Sequence, residues 1–518
     1  MKREEMISQL EDNTLWDTIV IGGGASGVGI ALDAASRGYK TLLLEKGDFA
    51  QGTSSRSTKL VHGGVRYLQQ GNISLVLEAL KERGILRKNA PHLVHNLPFV
   101  VPNYDWWEGP FYGVGLKIYD MLAGKEGFGS SKLISKEETL KHIPTIEQDG
   151  LNGGVIYHDG QFDDARLVIN LVKTAVKQGG VLINYMSVSN LIKKNNLIKG
   201  VIVNDVLSGK EYKVNSKVVI NATGPFSDLI RKMDEPNSQN IITPSQGVHI
   251  VLDKEFLPGD SAIMVPHTDD GRVLFAIPWH SKIIVGTTDT QLEKIEDEPI
   301  PQKEEVDFLL EHTARYLTKD PQRKDIKSVF AGIRPLVVNP SAENTAAVSR
   351  EHVVTISKTG LVSIAGGKWT TYRKMAEDTL EQAIIVGNLD DSKCQTKNIQ
   401  IHGFHQHSEV FNELSNYGSD AIEIKNLIRS NKKLGENIIP SEDIVKAEVI
   451  WAAREEMAVT ISDFLSRRRR ILLLDTKASL NMAPIVADLM MKELGKNKSW
   501  KREQINSFNK LAQNYLVE

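Results

Sequence analysis

The sequence contains a single cysteine, Cys394, among its 518 residues. A single cysteine excludes an internal disulfide and fits a reducing compartment such as the cytoplasm. An excess of charge of one sign is also missing, because 63 Lys and Arg residues face 65 Asp and Glu residues, for a net charge of −2. Such a chain lacks the overall basic charge that favours nucleic acid. We therefore expect no nucleic-acid partner.

Long apolar runs are absent as well. Residues 1–16 are largely charged or polar and hold no apolar core of a signal peptide. No stretch approaches the roughly 18 apolar residues of a membrane-spanning helix. Apolar residues still make up 41% of the chain and charged residues 25%, as in ordinary globular proteins. We expect a protein that does not span a membrane but can still bind to its surface.

The order of elements predicts an α/β fold. Residues 17–22 and 40–45 read as buried strands, and residues 25–37 between them read as a helix. This β-α-β unit opens a doubly wound, Rossmann-like domain over residues 1–387. An antiparallel-sheet substrate domain is interleaved with it, at about residues 68–150 and 245–330. A polar linker and a C-terminal all-helical domain are predicted over residues 388–518.

Further helices and strands are predicted within this frame. The helical segments are 74–89, 165–178, 303–317 and 370–386, and the strand-rich segments are 181–220, 245–290 and 352–366.

A glycine loop joins the first strand to the first helix. Residues 22–27 read GGGASG and fit G-x-G-x-x-G in the setting that this motif requires. Gly22 permits the turn, Gly24 lets the backbone approach a pyrophosphate, and Gly27 lets helix and strand pack closely. The alternative is an ordinary glycine turn. Glu45, at the end of the second strand, is placed to accept a ribose hydroxyl. The predicted contacts in the loop are Gly22, Gly24, Ala25, Ser26 and Gly27.

Three later segments favour FAD over NAD, because they extend the contacts over about 350 residues. Residues 53–67 are small and polar, residues 221–224 follow a strand, and residues 366–371 precede a helix. A helix start at the last segment can stabilise charge on a reduced flavin. We expect non-covalent FAD and no metal. The further cofactor residues are Thr53, Ser54, Ser55, Lys59, His62, Gly63, Gly64, Ala222, Gly224, Gly367, Lys368, Trp369 and Thr370.

These segments together resemble the aerobic, respiratory FAD-dependent glycerol-3-phosphate dehydrogenases, of the glycine oxidase and D-amino-acid oxidase type of flavoprotein. The strings that carry the resemblance are IGGGASGVGIALDAASRG, GTSSRSTKLVHGGVRYL, ARLV, NATGPFSD, VGTTDT, AGIRPL, VSREH, AGGKWTTYRKMAEDT and EVIWAAREEMAVTISDFLSRR. The resemblance implies oxidation of sn-glycerol 3-phosphate to dihydroxyacetone phosphate, with a hydride passing to flavin N5 and electrons to a membrane quinone. The alternatives are an oxidase that uses oxygen and a catalytically silent flavin-binding partner protein.

The implied site needs cations for a phosphate dianion, which arginine binds in pairs of hydrogen bonds. Histidine, with an ordinary pKa of about 6.5, is a candidate proton acceptor. The predicted catalytic residues are His62, Arg334 and Lys368. The predicted substrate residues are Arg66, Tyr67, Thr288, Asp289, Arg334 and Arg350.

Each of these residues also has a simpler interpretation. Arg66 and Arg350 fit surface charges, and Arg334 precedes a proline in a turn. His62 can serve only as a hydrogen-bond partner of the flavin. Lys368 can polarise the substrate oxygen or bind flavin O2, and Asp289 can orient an arginine.

Two charged clusters are interpreted without a site. His402, His405 and His407 lie in the polar segment without metal-ligand spacing, which favours a solvated loop. Arg467–Arg470 fall on a predicted helix, where consecutive residues point in different directions. We expect this arginine run to form salt bridges and to occupy solvated positions.

A quinone dissolved in lipid requires a docking surface. Residues 99–119 hold seven aromatic residues, and Trp and Tyr favour the headgroup region. The competing interpretation places these rings in a core or a subunit interface, and the basic C-terminal helices are another docking candidate. We expect peripheral binding to the cytoplasmic face of the cell membrane. The sequence leaves the oligomeric state open, a homodimer included.

Overall fold

The computed structural model describes residues 1–12, 14–69, 71–266, 268, 272–338 and 351–517. Within these ranges the strands are β1 Leu15–Ile21, β2 Thr41–Leu44, β3 Leu60–Val61, β4 Val94–Asn103, β5 Lys132–Ser135, β6 Gly153–Phe162, β7 Val181–Ile183, β8 Met186–Lys194, β9 Leu197–Asp205, β10 Glu211–Asn221, β11 Ile242–Asp253, β12 Ala262–Val265, β13 Leu274–Trp279, β14 Lys282–Gly286, β15 Thr290–Gln291, β16 Ser328–Val337, β17 His352–Ile356 and β18 Leu361–Gly366.

The α-helices of the same ranges are α1 Arg3–Ser8, α2 Ala25–Ser36, α3 Val65–Gln69, α4 Ile73–Asn89, α5 Glu108–Ala123, α6 Lys136–His142, α7 Asp164–Lys177, α8 Ser227–Asp234, α9 Lys303–Ala314, α10 Tyr372–Gly387, α11 Ala421–Ser430, α12 Lys446–Glu455, α13 Ile471–Leu474, α14 Thr476–Glu493 and α15 Lys498–Gln513. The predicted helices before residue 388 match α2, α4, α7, α9 and α10 to within a few residues at each end.

The first sheet places the candidate cofactor segments together. Its main strand order is β17-β18-β10-β1-β2-β7, and β18, β10, β1, β2 and β7 run parallel. The loops after β1, β2, β10 and β18 therefore leave the same carboxyl edge, where ligands of open α/β sheets bind. Helix α2 contacts both α7 and α10 on one face of the sheet. The buried apolar strands need such helical cover, and this part of the fold prediction is confirmed.

The second sheet is mostly antiparallel and is built from segments interleaved with the first. Its longest pairings join β4 to β6 and β11 to β16. Strand β16 carries Arg334, and the short β3 before His62 pairs with β6. This arrangement brings residues from widely separated parts of the chain to one side of the cofactor edge. The predicted interleaved substrate sheet is confirmed.

The C-terminal region is helical, and it packs against the second sheet. Its apolar core includes Phe464, Met482 and Val486, and it also takes in Val251 and Phe330 of the sheet. The segment predicted as a polar linker contains α11 and packs its own small apolar cluster. Among the described helices, none combines the length and the apolar composition that a membrane span requires.

The prediction of solvated positions for the arginine run is wrong, although its salt bridges are confirmed. The side chains of Arg468 and Arg470 are 0% and 1% exposed, and Arg467 is buried beside them. A π-helical turn over Asp463–Arg468 and a left-handed backbone at Arg470 replace the regular helix on which the prediction rested. With this altered turn, the side chains of the three arginines lie inside the protein and form salt bridges with buried carboxylates.

Candidate functional site

A cavity of about 380 Å³ lies over the carboxyl edge of the first sheet. We call it the large cavity, and we call residues 45–59, between β2 and β3, the cofactor loop. The walls of the large cavity come from the loops after four parallel strands, one of which is the cofactor loop. The predicted cofactor residues that line it are Gly22, Gly24, Ala25, Ser26, Glu45, Thr53, Ser54, Ala222, Gly224, Gly367, Lys368 and Trp369.

The glycine loop is shaped by close backbone approaches. Gly22 has a φ of 112°, and a Cβ there would lie 2.5 Å from the carbonyl oxygen of Ala222. A Cβ on Gly27 would lie 2.0 Å from the Gly22 oxygen. Helix α2 begins at Ala25, whose amide donates to Ser54 Oγ at 2.9 Å. The start of α2 also lines the large cavity, where a helix N-terminus can bind a phosphate.

Glu45 closes the ribose end of this cradle. Its carboxylate accepts hydrogen bonds from the amides of Gly23 and, at 2.8 Å, Gly47. Burial raises the pKa of Glu45, and the two amides oppose the shift. A fixed acceptor next to a glycine loop and a helix start fits the ribose and pyrophosphate of a dinucleotide. The large cavity therefore fits FAD.

Five predicted cofactor residues are not in the described walls of either cavity; they are Gly27, Ser55, Lys59, Gly63 and Gly64. Lys59 is fully buried and binds Asp164 and the Ser55 carbonyl, at 2.7 and 2.8 Å. Burial lowers the pKa of Lys59 to about 7, and Asp164 opposes the shift. The Gly63 amide donates to the Tyr119 hydroxyl at 2.8 Å. These contacts shape the cofactor loop and the chain that follows it.

A second, smaller cavity of about 200 Å³ adjoins the first. We call it the small cavity; both cavities share Thr53, Arg56, Pro335 and residues 366–369 as walls. The predicted site residues that line it are Thr53, His62, Tyr67, Arg334, Gly367, Lys368, Trp369 and Thr370. The structure therefore brings the three predicted catalytic residues to one small cavity beside the large cavity.

Arg334 is held in a fixed orientation on β16. Its guanidinium donates to Thr287 Oγ1 at 2.9 Å and to the Thr288 carbonyl at 3.0 Å, and it lies 3.4 Å from Asp289. Gly247 leaves the necessary room, because a Cβ there would lie 2.3 Å from Arg334 Nη2. A guanidinium fixed by its neighbours loses little entropy when it binds an anion.

Lys368 and His62 sit on segments that are joined to each other. The Lys368 ammonium lies 3.7 Å from the centre of the Tyr67 ring, a cation–π contact. The His62 amide donates to Thr370 Oγ1 at 3.2 Å. Trp369, between Lys368 and Thr370 in the sequence, donates from Nε1 to the Ser54 carbonyl at 3.0 Å. The segment before α10 is thereby connected both to His62 and to Ser54 of the cofactor loop.

The remaining predicted substrate residues are placed differently. Thr288 is buried, and its hydroxyl contacts the Val248 amide and the Glu305 carboxylate, both at 2.9 Å. Asp289 accepts from Ser245 and contacts the Arg334 guanidinium. Neither is among the described residues that line the cavities. Arg66 lies in helix α3, and its side chain is outside the description; Arg350 lies outside the described residues.

Among the titratable residues that line the small cavity, the sequence reasoning missed His249 and Arg56. His249 on β11 lies 2.9 Å from Thr58 Oγ1 and stacks on Phe330. Burial, with Lys59 and Arg334 adding to it, lowers the pKa of His249 well below its ordinary value, so the ring is neutral. Arg56 pairs with Glu298 at 2.7 Å. Arg56 lies within residues 53–67, the segment that the sequence assigns to the cofactor. His249 is a lone histidine in a strand and carries no such sequence signal.

Comparison with known proteins identifies the family. The protein-family model described as FAD dependent oxidoreductase matches residues 17–373. The family model described as C-terminal domain of alpha-glycerophosphate oxidase matches residues 357–504. The chain belongs to the FAD-dependent oxidoreductases. Mitochondrial glycerol-3-phosphate dehydrogenase of Bos taurus is 41% identical over 98% of this chain and 74% of its own length. The enzyme of that name from Schizosaccharomyces pombe is 37% identical over 95% of this chain and 86% of its own.

A solved structure agrees with these sequence matches. Glycerol-3-phosphate dehydrogenase from Bacillus halodurans, complexed with FAD, has a TM-score of 0.82 at 29% identity, over 100% of this chain and 98% of that chain. Within the oxidoreductase family the chain therefore groups with the glycerol-3-phosphate dehydrogenases. The predicted family, enzyme class and choice of FAD are confirmed.

Proposed function

We propose that this oxidoreductase converts sn-glycerol 3-phosphate to dihydroxyacetone phosphate in the small cavity and passes the electrons to a membrane quinone. The observation that carries the proposal is the grouping of Arg334, Lys368 and His62 in a space that adjoins the FAD cradle. FAD, when bound, supplies the acceptor for the hydride that leaves C2 of the substrate. The protein has to bind the phosphate, orient C2 and receive one proton.

Arg334 is the proposed phosphate ligand. Its contacts to Thr287, Thr288 and Asp289 fix the guanidinium before substrate arrives. Binding energy from the phosphate then aligns the reacting carbon, which raises the rate as well as the affinity. Arg66 and Arg350 remain proposed as further cations for the phosphate, on the strength of the sequence alone.

His62 is the proposed acceptor of the hydroxyl proton, and Lys368 the group that polarises the substrate oxygen. Both side chains line the small cavity, and the contact with Tyr67 holds the Lys368 ammonium on that side. A cation near the oxygen favours the charge that develops as the proton leaves. Tyr67 contributes a wall and a partner for the ammonium.

The reaction is tested with the purified holoenzyme without oxygen. Glycerol 3-phosphate should bleach the flavin absorbance, and dihydroxyacetone phosphate should accumulate in equal amount. Glycerol alone should bleach it far more slowly, because it lacks the phosphate that Arg334 binds. Equal rates with glycerol and glycerol 3-phosphate would show that this substrate assignment is wrong.

The proposed quinone acceptor requires a surface that meets lipid, and the exposed apolar residues of α5 make this helix the candidate. Its outer face carries Phe111, Val114, Ile118 and Met121 at helical spacing, and the preceding turn carries exposed tryptophans. Trp106 and Met121 are 85% and 80% exposed, which is unusual for residues of this size. We propose that this face, the α5 face, binds the membrane surface from the cytoplasmic side.

The position of α5 places that surface near the chemistry. The inner face of the helix buries Tyr119, whose hydroxyl accepts from the Gly63 amide next to His62. A helix with its side chains is about 10 Å across. The α5 face therefore lies roughly one helix diameter from the backbone at His62 and Gly63. A quinone in the lipid leaflet that faces the protein would then lie close to this end of the molecule.

An oxidase is the second candidate, because residues 357–504 match the C-terminal domain of alpha-glycerophosphate oxidase. Two assays on the same preparation separate the candidates. A quinone-reducing enzyme should reduce a soluble quinone analogue rapidly and take up oxygen slowly at equal substrate. Oxygen uptake that matches quinone reduction, with hydrogen peroxide as product, would favour the oxidase.

A further inference from the structure

The buried arginine run meets the cofactor loop at its first turn. Asp48 is completely buried, and its carboxylate accepts from Arg467 Nε at 2.6 Å and from Arg468 Nη2 at 3.0 Å. Asn184 contributes a third contact, at 3.3 Å. Two guanidinium groups hold the pKa of Asp48 below its ordinary value against the effect of burial. The carboxylate therefore stays ionised and binds both arginines.

The same run meets the middle of the cofactor loop. The Arg470 guanidinium donates to the Ser55 carbonyl and, at 2.9 Å, to Asp164. Asp164 also receives the hydroxyl and amide of Ser57, at 2.7 and 3.1 Å, and the ammonium of Lys59. Asp164 thus links Arg470 to Ser57 and Lys59, and Arg470 itself binds Ser55. These groups are taken out of water, where charge-assisted hydrogen bonds are strong and an unpaired charge is costly.

The residues just before Ser55 form the wall of the large cavity. Thr53 Oγ1 donates to the Ile333 carbonyl at 2.6 Å. Ser54 accepts the Ala25 amide at the start of α2 through Oγ and Trp369 Nε1 through its carbonyl. The positions of Ser54 and of the α2 start thus depend on the next peptide group, which Arg470 binds. FAD bound in the large cavity would contact Thr53 and Ser54 of this loop, and the C-terminal region binds the loop at Asp48 and Ser55.

We propose that the arginine run of the C-terminal region positions the cofactor loop, so that the retention of FAD depends on Arg470, Arg467 and Arg468. The three arginines are positioning residues, because they act through Ser55 and Asp48 and are not among the described lining of either cavity. This role goes beyond the proposed reaction and holds whatever the substrate and the electron acceptor are. It assigns the C-terminal helical region a part in cofactor binding.

The test compares Arg470→Gln with Arg469→Gln in the holoenzyme. Arg469 belongs to the same run but binds Glu448 at 3.2 Å and the carbonyls of Glu413 and Asp443, away from the cofactor loop. Free flavin is much more fluorescent than bound flavin, so its release is followed at constant temperature. We expect Arg470→Gln to release FAD at least about tenfold faster than wild type, because the variant loses the charge-assisted hydrogen bonds to the Ser55 carbonyl and to Asp164. Arg469→Gln should release it at the wild-type rate.

A thermal scan separates positioning from general destabilisation. Flavin fluorescence reports release, and far-ultraviolet circular dichroism reports unfolding of the same sample. In Arg470→Gln we expect flavin release several degrees before unfolding, whereas the two transitions should coincide in wild type and in Arg469→Gln. Release that stays coincident with unfolding in Arg470→Gln, with an unchanged rate at constant temperature, would overturn the proposal.

A second variant keeps the test decisive if Arg470→Gln does not fold. Asp48→Asn preserves the side-chain size and removes the charge that Arg467 and Arg468 bind. We expect the same early release of FAD from this variant. An Asp48→Asn holoenzyme that retains FAD like wild type would count against the proposal by itself.

Discussion

At the scale of single residues, Arg334 offers the sharpest test of substrate recognition. Arg334→Ala removes the proposed phosphate ligand, so kcat/KM for glycerol 3-phosphate should fall. We expect the fall to correspond to a loss of roughly 2–4 kcal/mol in transition-state binding, the cost of an unpaired buried charge contact. The rate with glycerol should change little, because glycerol has no phosphate to lose. We expect the same pattern for Arg66→Ala. Dye-coupled steady-state assays at several concentrations of both substrates measure these effects.

The matched control for Arg334→Ala is Arg323→Ala. Arg323 pairs with Asp307 at the surface, and this pair lies on α9 and the turn after it. Exposed ion pairs contribute little, so this variant should keep wild-type kinetics with both substrates. A similar loss on glycerol and on glycerol 3-phosphate in Arg334→Ala would point to a damaged fold instead of a lost phosphate contact.

His92 offers a test in which pH is the variable. Both hydrogens of the Asn170 amide are in use, one on the His402 carbonyl at 2.9 Å and one on His92 Nε2 at 3.0 Å. The His92 ring therefore accepts at Nε2 and is neutral. Burial lowers the pKa of His92 from 6.5 to about 3, with His95 adding to the shift. Protonation of the folded protein would break the contact with Asn170.

The sign of the effect follows from proton uptake. Below pH 6.5 the unfolded chain protonates this histidine and the folded protein does not, until about pH 3. The free energy of unfolding should therefore fall with decreasing pH in that window, by about 1.4 kcal/mol per pH unit from His92. His92→Gln keeps an acceptor for Asn170 and removes the titration. Urea unfolding between pH 6.5 and 5 should show a shallower slope in this variant; equal slopes would contradict the argument.

Candidate site residues could be located from the sequence where a local pattern fixes the backbone. Gly22, Gly27 and Glu45 belong to one β-α-β unit, and their spacing along the chain selected them as candidates. The close approach at Gly27 lies within that unit, whereas Gly22 approaches Ala222, which follows the distant strand β10. His249 could not be found this way. It reaches the small cavity because β11 pairs with β14 and β16, and long-range pairing leaves no trace near the residue itself.

At the scale of elements, α5 explains why the aromatic segment resisted prediction. Its inner face buries Tyr112, Leu116 and Tyr119, while its outer face exposes Phe111, Val114 and Ile118. Both faces are apolar, so periodicity cannot tell the core from the surface. The structure divides the seven aromatics: Phe99, Tyr112 and Tyr119 are buried, Tyr104 is half-buried, and Trp106, Trp107 and Phe111 are exposed. The core interpretation fits the buried rings, and the docking interpretation stays a prediction for the exposed ones.

Membrane docking through α5 is tested by replacing its exposed tryptophans. Trp106→Ser and Trp107→Ser together remove two large apolar side chains that favour the headgroup region. We expect the double variant to remain in the supernatant when vesicles of anionic phospholipid are sedimented. Reduction of a lipid-dissolved quinone should slow, while dye-coupled activity survives because the α5 core is untouched.

The control for the docking variant replaces exposed apolar residues elsewhere. Ile385 on α10 and Val410 in the C-terminal region are exposed to a similar degree and are separate from the α5 face. Their double serine variant should sediment with vesicles like wild type. Loss of dye-coupled activity in the tryptophan variant, or equal release in both variants, would place the docking surface elsewhere.

At the scale of the whole molecule, the sequence predicted the class of the fold better than the way its parts meet. The β-α-β start and the alternation of strands and helices indicated a doubly wound domain with an interleaved sheet. The contact between the C-terminal arginine run and the cofactor loop was not predictable. It joins residues more than 400 positions apart, and it depends on a π-helical turn that has no simple sequence signature.

The large cavity makes the stability of the whole chain depend on FAD. Its walls come from the first β-α-β unit, from the segment after β10 and from the segment before α10, so a bound dinucleotide would join three separated parts of the chain. A ligand that binds only the folded state stabilises it by about 4 kcal/mol at a thousandfold excess over Kd. Acid precipitation should release the flavin into solution. The protein that refolds without it should melt at a lower temperature, and added FAD should restore the original midpoint.

The control ligand for this last prediction is FMN, which carries the flavin and one phosphate but lacks the adenosine half. The glycine loop, the α2 start and Glu45 would then remain unoccupied, because they are placed for the pyrophosphate and ribose of a dinucleotide. We expect FMN at the same concentration to raise the midpoint little. If FMN stabilises the chain as strongly as FAD, the β1–α2 loop does not contribute to cofactor binding. If flavin stays with the acid precipitate, the non-covalent attachment is wrong.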